Sequence, residues 1–312
     1  MKSLSTIIPA FNAAPHIRNS IRSALSQVIP SGCAYNIIVV DDGSTDDTAK
    51  IIMTEFGDRI VLIRSEVNRG RGPTLNLGAA SSTAGILCFL DADCSYKDTS
   101  CLASHLTALE AADVSIGVLQ PKTGGFWCRY QQHVFENRAQ QGLNRSIIHY
   151  TTANTAVRAE VFRSAGGFDN AYAHYGFEDR DLYLRLMEGG TTISVNPECV
   201  AYHDAELNLH DACRKLEIAG HHTSGIFAKR FPEAYAKMDY SKIDVRIHGW
   251  PIRFLGFCFS PTLPAAIRIL DRLLEHPVLP YRLKYLGVKL LFALSFMHGC
   301  MLAEADEKKI NH

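Results

Sequence analysis

Short apolar runs that end in acids alternate with helical spacings through the first third of this 312-residue chain. Ile86-Leu87-Cys88-Phe89-Leu90 is the clearest: five apolar residues entered from Gly85 and closed by Asp91-Ala92-Asp93, the pattern of a strand buried on both faces. Its charged end is delivered to the edge of a sheet. Before it, residues 5–12 read as a first strand broken by Pro9, and Ile17, Ile21, Ala24, Leu25 and Val28 give residues 14–27 a helical spacing. Residues 35–40 form a second strand, closed by Asp41-Asp42-Gly43-Ser44-Thr45-Asp46 and followed by a helix over 47–56. A third strand at 60–63 leads into the loop 66–73 and a helix of small residues over 74–80. Four strands alternating with helices predict an α/β fold with a mostly parallel sheet covered on both faces. Ligands in such sheets lie beyond the carboxyl ends of the strands, where Asp41, Asp42, Asn68, Asp91 and Asp93 fall.

Further along, a helix and the strand-like residues 113–119 extend the sheet, and residues 127–144, aromatic and polar mixed, are expected to cross near an acceptor side. Gly166-Gly167 allows a sharp backbone reversal. Residues 175–186 place a glycine hinge and the acids Glu178, Asp179 and Asp181 at a helix start, where each gains about 0.3–1 kcal/mol from the helix dipole whatever else it does. A last edge strand then ends at His203.

The acids suggest a site for a cation. Asp91 and Asp93 are two apart and would share a face of a regular strand, where like charges repel unless a hard cation such as Mg²⁺ or Mn²⁺ stands between them. A solvated turn is the plainer reading, just as Asp42-Gly43-Ser44 also suits a helix cap and Asn68-Arg69-Gly70 a left-handed turn. For a divalent ion, neutral imidazole is a normal Mn²⁺ partner, which gives His203 interest; an ordinary surface histidine is the alternative.

Charge and composition narrow the classes. Lys+Arg and Asp+Glu both total 32, so nothing argues for a nucleic-acid partner. Nine cysteines without a Cys-x-x-Cys pair give neither a disulfide framework nor a zinc pattern, and fit a reducing, cytoplasmic compartment; the first residues lack the pattern of a signal peptide. The last quarter departs from the balance, with Arg246, Arg253, Arg268, Arg272, Arg282, Lys284 and Lys289 against Asp271 and Glu275 among long apolar stretches. Fourteen charge-free residues, 290–303, fall short of the ~20 that span a bilayer. Residues 251–259 and 281–296 suit either peripheral membrane association, at the inner face of a cytoplasmic membrane, or a helical subdomain packed on the core.

Taken together, Ile8-Pro9-Ala10-Phe11-Asn12, Val39-Val40-Asp41-Asp42-Gly43-Ser44-Thr45-Asp46, Asn68-Arg69-Gly70 and Phe89-Leu90-Asp91-Ala92-Asp93 resemble the successive signatures of family 2 glycosyltransferases with the GT-A fold. The resemblance covers roughly residues 4–205. It implies a GT-A domain at 1–205, with a nucleotide-sugar half to about 100 and an acceptor half beyond, and a mainly helical extension at 206–312. It also implies a nucleotide-sugar donor, of which UDP-sugars are the commonest, bound by Pro9, Phe11, Asn12, Asp42, Asn68, Arg71 and Asp91, with Mn²⁺ or Mg²⁺ on Asp93 and His203. The Glu-Asp motif of inverting members assigns Asp179 as the base and Glu178 as a holder of acceptor or donor sugar. The acceptor would be a glycan or lipid-linked hydroxyl; oligomeric state is open. Two rivals remain: a nucleotidyltransferase, whose glycine-rich basic loop Pro9-Ala10-Phe11-Asn12 does not match, and a non-catalytic glycan- or nucleotide-sugar-binding scaffold of the same fold.

Overall fold

The computed structural model describes residues 2–122, 124–143, 151–248 and 250–310. Residue 144, at the end of the expected acceptor-side crossing, lies outside them. The chain forms two compact units.

The first unit is built on an eight-stranded sheet: β1 (Ser3–Ala10), β2 (Ala34–Asp42), β3 (Val61–Ser65), β4 (Ile86–Leu90), β5 (Cys94–Tyr96), β6 (Val114–Pro121), β7 (Asn154–Arg158) and β8 (Ile193–His203). The order is β3-β2-β1-β4-β7-β6-β8-β5. β3, β2, β1 and β4 run parallel, β7 is antiparallel to β4 and β6, β8 is parallel to β6, and β5 is antiparallel to β8. Helices α1 (Ile17–Leu25), α2 (Thr48–Phe56), α3 (Arg71–Ala80), α4 (Cys101–Ala108), α5 (Gly125–Leu143), α6 (Ala159–Ser164) and α7 (Glu178–Glu188) connect the strands.

The unbroken apolar runs are explained by the two-residue period of a strand. Ile8, Ile37, Val39, Cys88 and Leu90 enter one core with Ile17, Ile21 and Leu102, while Ile7, Ile38, Val40, Leu87 and Phe89 enter the other with Leu75, Phe162 and Leu186. Both faces are covered, so Ile7–Ile8, Ile37–Val40 and Ile86–Leu90 are apolar at every position.

Four local expectations change. Pro9 does not break β1: it pairs with Val40 of β2, whereas β4 pairs only with Leu4 to Ile7, so no sheet bond requires the missing N–H. α3 begins at Arg71 rather than Thr74, because Pro73 falls in the first turn, where helix N–H groups lack partners anyway. Asp91 and Asp93 do not share a strand face; β4 ends at Leu90 and the chain turns, with Cys94 N–H donating to the Asp91 carbonyl at 2.9 Å. Finally, β8 is not an edge strand, since β5 covers it.

The second unit comprises residues 206–312 and two segments that precede them in sequence, Gly124–Tyr130 and His174–Glu178. Aromatic packing accounts for both: Phe126 meets Tyr281, Tyr130 meets Tyr285, and Phe177 meets Phe227 and Tyr235. The unit is helical: α8 (Leu209–Ile218), a π-helical turn (Ala219–Thr223), α9 (Ser224–Arg230), α10 (Pro232–Ala236), α11 (Asp239–Lys242), α12 (Trp250–Phe259), α13 (Leu263–Leu274) and α14 (Tyr281–Ile310). Glycines let α14 approach closely: a Cβ on Gly299 would lie 2.0 Å from the Glu217 carbonyl oxygen, and one on Gly220 2.3 Å from that of Phe296. Within α14, Tyr281–Asp306 is long and apolar enough to cross a membrane by length and composition, and 39% of an 18-residue apolar window in it is buried within the protein.

Candidate active site

The carboxyl ends of β1 to β4 are laced together by their own loops. Asn12, at φ 48°, accepts from Thr45 N–H at 2.9 Å through Oδ1, and its own N–H donates to Ser44 Oγ at 2.9 Å. Between Pro9 and Asn12, the Phe11 ring is 47% exposed, an apolar face available to a planar ligand. Buried Asp41 accepts from Ser44 N–H and Arg64 Nε, both at 3.2 Å. Buried Asp42 accepts from Arg69 N–H at 3.0 Å and Gly70 N–H at 2.9 Å, so its carboxylate fixes the loop after β3. Asn68 Oδ1 takes a second bond from Gly70 N–H at 2.9 Å. Gly70 is irreplaceable there: φ is 93°, and a Cβ would lie 2.3 Å from the Ala173 carbonyl oxygen.

That loop launches Arg71, and Arg71 ties the acids together. Its Nε and Nη2 donate to Asp91 Oδ1 at 2.9 and 2.6 Å, Nη1 to Asp179 Oδ1 at 2.9 Å, and Nη2 to Thr152 Oγ1 at 2.9 Å. Thr152 and Thr151, just before β7, donate their hydroxyls to the two Asp179 oxygens at 2.6 and 3.2 Å. Burial alone would raise the Asp179 pKa, but the Arg71 charge and the Thr152 hydroxyl and amide outweigh it and hold the carboxyl below the usual range. Asp91 is shifted the other way: burial, with Asp93 and Asp179 nearby, outweighs Arg71. One cation thus sits between two acids far apart in sequence, and its charge favours the ionised form of Asp179.

Pairing of β5 with β8 makes a second cluster. Cys94 is opposite His203, which puts Asp93 Oδ2 3.5 Å from His203 Nε2, and Asp204 N–H donates to the Asp93 carbonyl at 2.7 Å. His203 Nδ1 lies 3.2 Å from the Ala205 carbonyl oxygen, which accepts, and 3.0 Å from the Gln131 amide nitrogen, which donates; with the proton on Nδ1, directed at Ala205, Nε2 presents its lone pair toward Asp93 as a metal ligand would. Gln131 is on α5, and the Phe135 ring lies tilted at 53° to the imidazole with centroids 6.1 Å apart. Two donors each ~2.1 Å from one ion stand ~3.0–3.5 Å apart, so this pair fits a shared divalent cation. Among the described residues no group of three or more His, Cys, Asp or Glu side chains is placed to hold one. The pair would leave the other positions to phosphate and water.

α7 holds Asp179 from behind. Arg185 donates to Asp181 Oδ1 at 2.6 Å, to the Gly167 carbonyl at 2.7 Å and to that of Ala165, tying the helix to the Gly166-Gly167 reversal, where φ is 81° and 66°. Asn76 of α3 clamps that reversal by accepting from Phe168 N–H at 2.9 Å and donating to its carbonyl at 2.8 Å. Immediately before α7, Gly176 and Phe177 both have positive φ, 105° and 70°; for phenylalanine this is a strained conformation, held by a fully packed ring. Glu178 is buried, at 6% exposure.

Sequence reading named Arg71, Asp91, Asp93, Asp179 and His203, but not Thr151, Thr152 or Gln131, which support them. Ordinary threonines and glutamine carry no signal until the fold brings them beside a charge.

With this geometry in view, the comparisons with known proteins converge. The first 349 residues of S. aureus TarS superpose with a TM-score of 0.55 at 15% identity, covering 99% of this chain and 92% of that one. Mannosyltransferase PcManGT from Pyrobaculum calidifontis, solved with GDP-Man and Mn²⁺, gives 0.58 at 16%, covering 95% and 86%. The fold is therefore the GT-A fold of nucleotide-sugar transferases. A family model described as glycosyl transferase family 2 matches residues 5–166, and one described as the N-terminal domain of galactosyltransferase matches 132–206. The chain belongs to glycosyl transferase family 2. Glycosyltransferase AglE of Haloferax volcanii is 26% identical over 209 residues, covering 65% of this chain and 67% of AglE. Succinoglycan biosynthesis protein ExoA of Rhizobium meliloti is 29% identical over 201 residues, covering 60% and 58%. The chain thus spans about three-fifths to two-thirds of these relatives.

Proposed function

We propose that this protein is a metal-dependent, inverting glycosyltransferase that moves a sugar from a nucleoside-diphosphate sugar to an acceptor hydroxyl in the cytoplasm, building a glycan or glycolipid. The observation that carries this reading is the Asp179 carboxyl group, held by Arg71, Thr151 and Thr152 in the same site as Asp91. A carboxylate fixed in that way accepts the proton of an incoming hydroxyl as the new bond forms. Direct displacement needs only this one base, with no covalent enzyme intermediate, and inverts the anomeric centre.

The donor lies along the ends of β1 to β4, its base beside Pro9 and the exposed Phe11, its ribose near Asp42 through the loop that Asn12 and Asn68 shape. Glu178, buried at the head of α7, keeps the sugar-holding role that the resemblance implies. Asp93 and His203 hold the divalent ion, and a carboxylate-imidazole set favours Mn²⁺ over Mg²⁺. When bound, that ion offsets the charge that develops on the diphosphate leaving group. Structural neighbours solved with UDP-GlcNAc and with GDP-Man support a diphosphate-sugar donor, and UDP is our assignment of the carrier.

Substitution Asp179→Asn tests the reading, since it keeps size and one acceptor oxygen for Arg71 and Thr152 but removes the base. Transfer should fall by about a thousandfold or more while donor binding, followed by calorimetry, stays within a few-fold. Retained turnover would overturn the assignment of the base.

A further inference from the structure

In the second unit, α13 and α14 form a helical hairpin whose inner and outer faces differ sharply. Leu263, Ile267 and Leu274 of α13 and Val288, Leu291 and Phe296 of α14 are buried. The two helices meet where a Cβ on Gly287 would lie 3.0 Å from Leu270 Cδ2. On the outer side of that seam, Ile269 and Leu273 are four residues apart on α13, and Leu283, Leu286 and Leu290 follow the i, i+3, i+7 spacing of one face of α14. These side chains are bare: Ile269 is 61% exposed, Leu286 61% and Leu290 59%.

The same row on α14 continues into Met297 and Met301, and there it is covered. Gly256 of α12 packs on both, a Cβ at that position lying 2.7 Å from the Met301 sulfur and 3.1 Å from that of Met297. Among the described residues, the first two turns of the row lack a cover. Basic residues run along both margins of the bare stretch: Arg268 and Arg272 sit one helical step beyond Ile269 and Leu273, and Arg282 and Lys289 flank Leu286, all four exposed. Asp271 lies beyond Arg268 on the wheel, away from the leucines.

We infer that this hairpin face seats on an anionic lipid surface, with the aliphatic row in the boundary between headgroups and acyl chains and the four cations against lipid phosphates. Charge decides the occupant: an apolar strip between two basic margins matches a negatively charged interface, whereas a second copy of the same face would set like charges against each other. Each cation near such a surface contributes through attraction that salt weakens, and the aliphatic side chains contribute through burial. The seat is interfacial, because the second half of α14 is packed against α8 and the π-helical turn. This places the surface on the α13–α14 hairpin, where the sequence pointed to 251–259 and 281–296. It stands independently of the proposed chemistry.

The test is sedimentation of the full chain with sucrose-loaded vesicles, either pure phosphatidylcholine or about one-third phosphatidylglycerol. The protein should pellet with the anionic vesicles alone, less so at high salt, and come off in alkaline carbonate. Leu286→Glu with Leu290→Glu should lower partitioning about tenfold or more, and Arg268→Gln with Lys289→Gln should remove about half of the salt dependence. Because these side chains are bare, the variants should unfold at the wild-type temperature. Equal binding to neutral vesicles, resistance to carbonate, unchanged partitioning of the variants, a marked drop in their unfolding temperature, or a wild-type dimer that the glutamates dissociate would each overturn the inference.

Discussion

Arg71 shows how one side chain sets the protonation of a site. It touches Asp91 and Asp179 at once, and its charge is the main reason that Asp179 lies below the normal carboxylate range despite burial. Arg71→Met should therefore raise the Asp179 pKa. A depressed carboxyl keeps the base ionised above its pKa, so in the variant activity is lost at a higher pH as the solution is acidified. The acid limb of the kcat profile should move up, with kcat lowered by about a hundredfold, and an unmoved limb would show that Arg71 does not hold the base. His105 gives a second titration, in stability. Buried between Ser115 Oγ at 2.8 Å and Asn154 Oδ1 at 3.2 Å, its pKa is lowered by burial to about 4. An unfolded histidine titrates near 6.5. The stability it permits is complete above that value and is lost as the pH falls toward 4, by about 3 kcal/mol. Urea unfolding at neutral and acid pH should show this slope, and His105→Gln should flatten it.

Elements were legible in the sequence where burial is two-sided and local. β4 was read to the residue because five apolar side chains must be shared between two cores, and the Gly166-Gly167 reversal because only glycine takes two positive φ angles in succession at little cost. β5 was not legible. Three residues carry no period, and their strand exists only because β8, a hundred residues later, pairs with them. The ion pair of Arg71 with Asp179 likewise spans 108 residues and leaves no local trace. In the second unit the polar anchor is as hidden: Arg246 Nη2 meets Asp244 Oδ2 at 2.6 Å, Tyr235 OH donates to the same oxygen at 2.6 Å, and Asp244 is buried. Arg246→Met would leave that carboxylate buried without its cation and should cost about 3 kcal/mol in denaturant unfolding, most of it recovered by adding Asp244→Asn.

For the molecule as a whole, binding should report on the site before any acceptor is known. Mn²⁺ with a UDP-sugar should raise the unfolding temperature more than either alone, and Asp93→Ala should abolish the Mn²⁺-dependent part while leaving the ligand-free protein unchanged within a degree or two. An equal shift with and without Mn²⁺ would count against a metal on Asp93 and His203.

The sheet order has a bearing on how such proteins can be recombined. β5 belongs by sequence to the first hundred residues, yet it hangs on the far rim of the sheet, beyond three strands contributed by the later half. A splice near residue 100 would join Asp93 from one parent to His203 from another across a foreign strand pair. Exchange of front halves between relatives would then part Asp93 from its own His203 unless β8 travelled with them, so the smallest transplantable cassette is nearly the entire first unit.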